Sequence, residues 1–194
     1  MTTDNLYQAP EAPLLSQDEP EEALQLFTTQ RRKMIILSVC TLNMYSVYWF
    51  YKHWTAQRIN GGRDCIPVLR AIFQIFFVFS LFSTIKYDAE FKKLAVAWSA
   101  GWLAAFYILC TIAGSIIERF GDNTQNLSSY SLISLVCYLL PIIPLVLVQQ
   151  TANELNGDPK GLKNATLSWQ NWIFIILGIL WWLLVMVGLF LPSA

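Results

Sequence analysis

Charge is what this chain has least of. Only 13% of its 194 residues are Asp, Glu, Lys or Arg, about half the share of an ordinary soluble domain, while 55% are hydrophobic and the mean hydropathy is positive. No soluble core of this size needs that much apolar surface. Histidine is nearly absent too, His53 being the single one, and the four cysteines (Cys40, Cys65, Cys110, Cys137) include no C-x-x-C pair. These shortages argue against a metal centre, and three of the cysteines fall in apolar stretches where Cys acts as a small hydrophobe. Cys65 lies in a polar loop without a loop partner, which argues against a structural disulfide. No H-E-x-x-H or G-x-S-x-G arrangement accompanies His53, so intramembrane hydrolysis lacks visible machinery and we expect neither catalytic residues nor a cofactor. Residues 1–30 contain no Lys or Arg but six acids, which leaves +6 on the remainder (13 basic minus 7 acidic). That balance suits an anionic lipid surface better than nucleic acid.

What the chain does have is five long apolar stretches: 34–51, 66–85, 94–117, 132–148 and 172–191. An 18-residue helix covers roughly 27 Å, close to the hydrocarbon thickness of a bilayer, and Trp and Tyr beside Lys52 suit the headgroup boundary. The expected fold is all-α, a polytopic transmembrane bundle of about five spans over residues 31–194. It follows an acidic N-terminal tail, residues 1–30, with three prolines and too few large apolar groups to offset chain entropy. The tail has neither the basic nor the apolar region of a signal peptide. Ser16 and Glu19 have the spacing of a capping box for a short surface helix through Leu24, Leu26 and Phe27. Asn156-Gly157 offers a left-handed helix end with Asp158-Pro159 behind it, and Ser168 is an N-cap candidate for the last stretch.

Loop charges set the orientation. With five spans and the N-terminus inside, eight Lys and Arg lie inside (Arg31, Arg32, Lys33, Lys86, Lys92, Lys93, Lys160, Lys163) and four outside (Lys52, Arg58, Arg63, Arg119). The positive-inside rule then favours a cytoplasmic N-terminus. The basic segment from Lys52 to Arg63 sits awkwardly outside; a re-entrant or surface-lying first stretch changes the count to seven against five.

Several residues inside the stretches stand out. Ala97, Gly101 and Ala105 recur every fourth residue, the spacing of a close helix seam, either within the chain or between copies. Pro141 and Pro144 predict a kink, which is either structural or the broken helix of a transporter. Arg70 is the one charge well inside a stretch, with no acid in any stretch to pair with it; its stem is long enough to lift the guanidinium to the interface. Asn43 and Gln74 read as helix-to-helix hydrogen-bonding groups. His53, beside Trp54, reads as an interfacial surface residue. Asn126-Leu-Ser128 and Asn164-Ala-Thr166 match the glycosylation sequon, a pattern short enough to recur by chance.

The segment Thr41-Leu-Asn-Met-Tyr45-Ser-Val-Tyr48-Trp49-Phe50-Tyr51-Lys52 resembles the signature of a bacterial family of small integral membrane proteins of unknown function, in which Thr-x-Gly-x-Tyr-x-x-Tyr-Trp-x-Tyr-Lys ends the first helix. Asn43 stands where that family usually has Gly. The likeness continues loosely through Leu69-Arg70-Ala-Ile-Phe and Asn153-Glu-Leu-Asn156 to Asn171-Trp172. It implies a multi-pass protein of the bacterial inner membrane and carries no catalytic residues over. The leading expectation is a non-enzymatic membrane component acting through helix packing, lipid contact or a partner, the partners being the bilayer and a second copy or another membrane protein. The alternative is a small-molecule or ion transporter working as an oligomer around Asn43, Arg70, Gln74 and the proline kink.

Overall fold

The computed structural model describes residues 25–121 and 127–190, and all regular structure among them is helical. The tail through Leu24 and its Ser16–Glu19 capping box lie outside the described residues, as does Asn126. The elements are α1 (Arg31–Cys40), α2 (Tyr45–Ile59), α3 (Pro67–Ile72), α4 (Gln74–Phe91), α5 (Ala100–Gly121), α6 (Leu127–Leu139), α7 (Ile142–Leu155), a 3₁₀ turn at Leu162–Asn164, and α8 (Trp169–Phe190).

Two expected spans are not single helices. The stretch 34–51 breaks at Thr41–Met44, where Leu42 and Asn43 have φ of 47° and 65° and the Asn43 N–H reaches back to the Ser38 carbonyl at 2.6 Å. Asn tolerates that left-handed backbone better than most side chains, since its short polar group bonds locally. α1 therefore rises only roughly 15 Å, about half of a ~30 Å hydrocarbon layer. The chain turns back: the Asn60 side chain donates to the Gln25 carbonyl at 2.7 Å, so the far end of α2 lies beside the entrance to α1. The stretch 66–85 breaks at Phe73 (φ −91°, ψ 35°) into α3 and α4. α4 also ends beside α2, with Gln57 Nε2 donating to Asp88 Oδ2 at 3.2 Å.

Elsewhere the apolar pattern is followed more closely. Helix α5 starts at Ala100 rather than Leu94 and runs on to Gly121. Pro141 divides α6 from α7 as its missing donor requires, while Pro144 sits in the first turn of α7, where an N–H would have no helical partner. Gly157 takes φ +65° at the end of α7, as Asn156-Gly157 predicts. Among the described residues two helices are long and apolar enough to cross a membrane, Ala100–Phe120 and Leu132–Leu155 counted across the proline bend; Asn171–Val187 is a shorter apolar helix.

The core lies between α2, α4, α5 and α7, around Trp49, Phe50, Trp54, Phe82, Tyr107 and Leu145. Helix α8 stands apart, packed chiefly on α1. Its contact is close: a Cβ on Gly178 would fall on the Cys40 carbonyl, and Trp182 Nε1 donates to the Val39 carbonyl at 2.9 Å. The tip of the α1–α2 hairpin thus meets α8 near its middle.

Candidate functional site

The polar chemistry collects at one end of the molecule. Residues Gln25–Gln30 form an extended strap lying along the last two turns of α7, not the surface helix expected through Leu26 and Phe27. Asn156 accepts from the Leu26 N–H at 2.9 Å and donates to the Leu26 carbonyl at 2.7 Å. One turn earlier Asn153 does the same to Thr29, at 3.3 and 2.9 Å. All four bonds end on main chain, so the strap is held chiefly by its backbone. Asn164 donates to the Thr28 carbonyl at 3.0 Å, and the loop presses in so tightly that a Cβ on Gly161 (φ +65°) would collide with the Thr29 carbonyl. Asp158 sets that loop, accepting from the Leu162 and Lys163 N–H groups at 2.9 Å each. These donors, the Lys163 N–H foremost, hold its carboxyl below the usual range.

Gln149 extends the ladder into the core. Its amide donates to the Phe27 carbonyl (2.9 Å) and to Asn153 Oδ1 (2.7 Å), while its Oε1 accepts from Trp49 Nε1 at 2.6 Å and sits 3.1 Å from His53 Nε2. The shared oxygen assigns a proton to Nε2, leaving Nδ1 as an acceptor with no partner among the described residues. His53 is completely buried, its ring 4.2 Å from Trp49 and 5.8 Å from Phe27. The interfacial reading of His53 is corrected: helical periodicity turns it onto the Trp49 face, inward. In this position its Nε2–H donates to Gln149 Oε1 within the packed core.

Beside the strap, a groove of about 610 Å³ runs between an α1–α8 wall and an α2–α3 wall, with Lys33 at its polar end. Lys33 is buried, 7% of the residue being exposed, and its ammonium donates to Asn164 Oδ1 (2.6 Å) and the Thr166 carbonyl (2.9 Å). Asn171, with its amide oxygen turned inward, accepts a third bond at 3.2 Å and also receives the Ser168 N–H and hydroxyl.

The residues expected to matter do not gather at this end. Asn43 is in the hairpin tip with its Oδ1 buried and unpartnered among the described residues. The Arg70 guanidinium stacks over Trp54 at 4.2 Å and Phe77 at 5.2 Å. Gln74 Oε1, one turn on, finds no partner among the described residues, so no hydrogen bond joins these three. Within the chain, among the described residues, the Gly101 seam is not formed. Ala97 precedes the helix, Gly101 faces outward, where an added Cβ would meet only Phe79 and Ser99 at 3.9 Å, and Ala105 is half-buried; the buried small residues are Ala100 and Ala104. Cys65 is buried, its Sγ 3.9 Å from the Trp54 carbonyl, and all four cysteines are free. Sequence reasoning missed Gln149 and Lys33; the only signal was a run of amides, Gln149, Gln150, Asn153 and Asn156, with three of the four on one helical face.

Comparison of the chain with protein-family models, with curated proteins and with solved structures finds no match.

Proposed function

We propose that the chain is a non-enzymatic component of a membrane, in which α5, α6–α7 and α8 cross the bilayer while α1–α2 and α3–α4 enter and leave from one face. One observation carries this reading: around an apolar core that also holds buried polar side chains, the outer faces of several helices are themselves apolar. His53, Gln57, Gln149 and Asn153 are buried, while Ile72, Phe76, Trp102, Leu109, Phe174 and Leu184 face outward at 57–80% exposure, as a hydrocarbon solvent permits. The layout also resolves the charge count. Both ends of the α1–α2 hairpin, the end of α4 and the loop after α7 gather at the strap, so Lys52, Arg58 and Arg63 join Arg31–Lys33, Lys86, Lys92, Lys93, Lys160 and Lys163 on one side. By the positive-inside rule that side is cytoplasmic.

Labelling of single-cysteine variants with a membrane-impermeant maleimide in intact cells tests this layout. Asp64→Cys should be shielded like Lys160→Cys, and Phe120→Cys should react. The five-span layout requires the opposite at Asp64: labelling from outside. Flux measurements in proteoliposomes address the transporter alternative, and we expect none above the lipid background.

A further inference from the structure

Lys33 is a buried cation without a counter-charge. Its three hydrogen bonds end on two amide oxygens and a carbonyl, and no carboxylate pairs with it among the described residues. Burying a charge is costly unless an opposite charge joins it, so the site is electrostatically incomplete. The space beside it is of the opposite character. From Lys33 the groove continues past Leu37, Val47 and Ala71 to Met44 and Ile72, the last two 71% and 60% exposed. Along α1, the distance from Lys33 to the hairpin tip is roughly 15 Å, about the depth of one leaflet. The volume falls within the range of small-molecule sites, and the walls open toward the apolar exterior.

We propose that this groove binds one amphiphile with an anionic head group, its phosphate or carboxylate against Lys33 and its alkyl chain along the α1–α8 and α2–α3 walls. The head supplies the missing charge, and the chain covers outward-facing apolar surface that α8, packed mainly on α1, leaves open. A glycerophospholipid and a free fatty acid share this chemistry.

The full chain, purified in neutral detergent, is titrated with phosphatidylglycerol, phosphatidylcholine, oleate or inorganic phosphate and read by native mass spectrometry, a measurement independent of membrane topology. One anionic amphiphile should bind at least tenfold more tightly than phosphatidylcholine, and whichever of phosphatidylglycerol and oleate binds better identifies the source. Lys33→Met should abolish that preference and Lys33→Arg should recover most of it. Ile72→Trp, on an exposed wall, should weaken both amphiphiles without lowering thermal stability, and it decides the matter if Lys33→Met does not fold. Equal affinity for anionic and zwitterionic lipid overturns the proposal, as does a preference unchanged in folded Lys33→Met or in Ile72→Trp. Binding of inorganic phosphate as tight as that of the amphiphiles also overturns it. So does a wild-type chain that takes no lipid until residues 2–24 are deleted, since the acidic segment would then be the occupant.

Discussion

Gln149 touches four groups at once, and this makes it the most sensitive side chain in the polar end. Replacing it with Leu leaves the Phe27 carbonyl, Asn153 and the Trp49 N–H short of a partner in a buried site. Each such orphan costs about 1–3 kcal/mol, so Gln149→Leu should lower the thermal midpoint in detergent more than any substitution at His53. His53→Leu removes only one shared donor, since Gln149 Oε1 keeps Trp49, and also removes the unpartnered Nδ1. We expect a change of less than about 1 kcal/mol there. Asp158 predicts a pH effect of definite sign. Its folded carboxyl titrates below the ordinary Asp value, so its contribution is present above about pH 4 and lost as pH falls through the folded value. Burial pushes Asp88 the other way, so the readout is the difference between proteins: Asp158→Asn should flatten the acid limb of the stability profile measured by thermal melts from about pH 3 to 7. Nothing in the sequence marks these residues individually. A buried Gln or His is recognised by what lies across from it, and Trp49 and Gln149 are separated by 100 positions.

At the scale of elements, the sequence was most legible where one helix carries one long apolar run. All of α5 but its last turn and nearly all of α8 follow directly from hydropathy, and the division of α6 from α7 follows from the absent N–H of Pro141. The breaks at Thr41–Met44 and Phe73 were not legible, because neither contains Gly or Pro, and a continuous helix there satisfies every local rule. What bends the first stretch is tertiary: the strap pins one end, α8 meets the tip, and α2 must return to place Trp49 against Gln149. The regular spacing of Ala97, Gly101 and Ala105 forms no seam among the described residues for a related reason, since small residues report a close approach only if a second helix is there. Gly178 is where one is. Gly178→Ala should push α8 from α1, breaking the Trp182 to Val39 bond and costing about 1–3 kcal/mol by overpacking, whereas Gly101→Ala should be neutral or slightly stabilising. Paired melts in detergent check both.

Across the whole molecule, the strap ties the beginning of the described chain to a segment near its end, with bonded partners 122 to 136 positions apart. None of Gln149, Asn153, Asn156 or Asn164 has been synthesised when the strap leaves the ribosome. At roughly 5–20 residues per second, the strap waits on the order of ten seconds for its amides. During that interval α1 and α2 have neither clamp nor α8, and in the layout proposed above a hairpin too short to span a bilayer would rest in the membrane unsecured. Chains truncated after Val148 should therefore remain open to protease at Gln25–Gln30, and those extended past Thr166 should become protected; equal protection of both would mean that the hairpin closes without its late partners. The order of synthesis thus makes assembly depend on its last quarter, and a chaperone or insertase that shields α1–α2 through those seconds has a defined task with a defined end: it can let go once Asn164 has emerged.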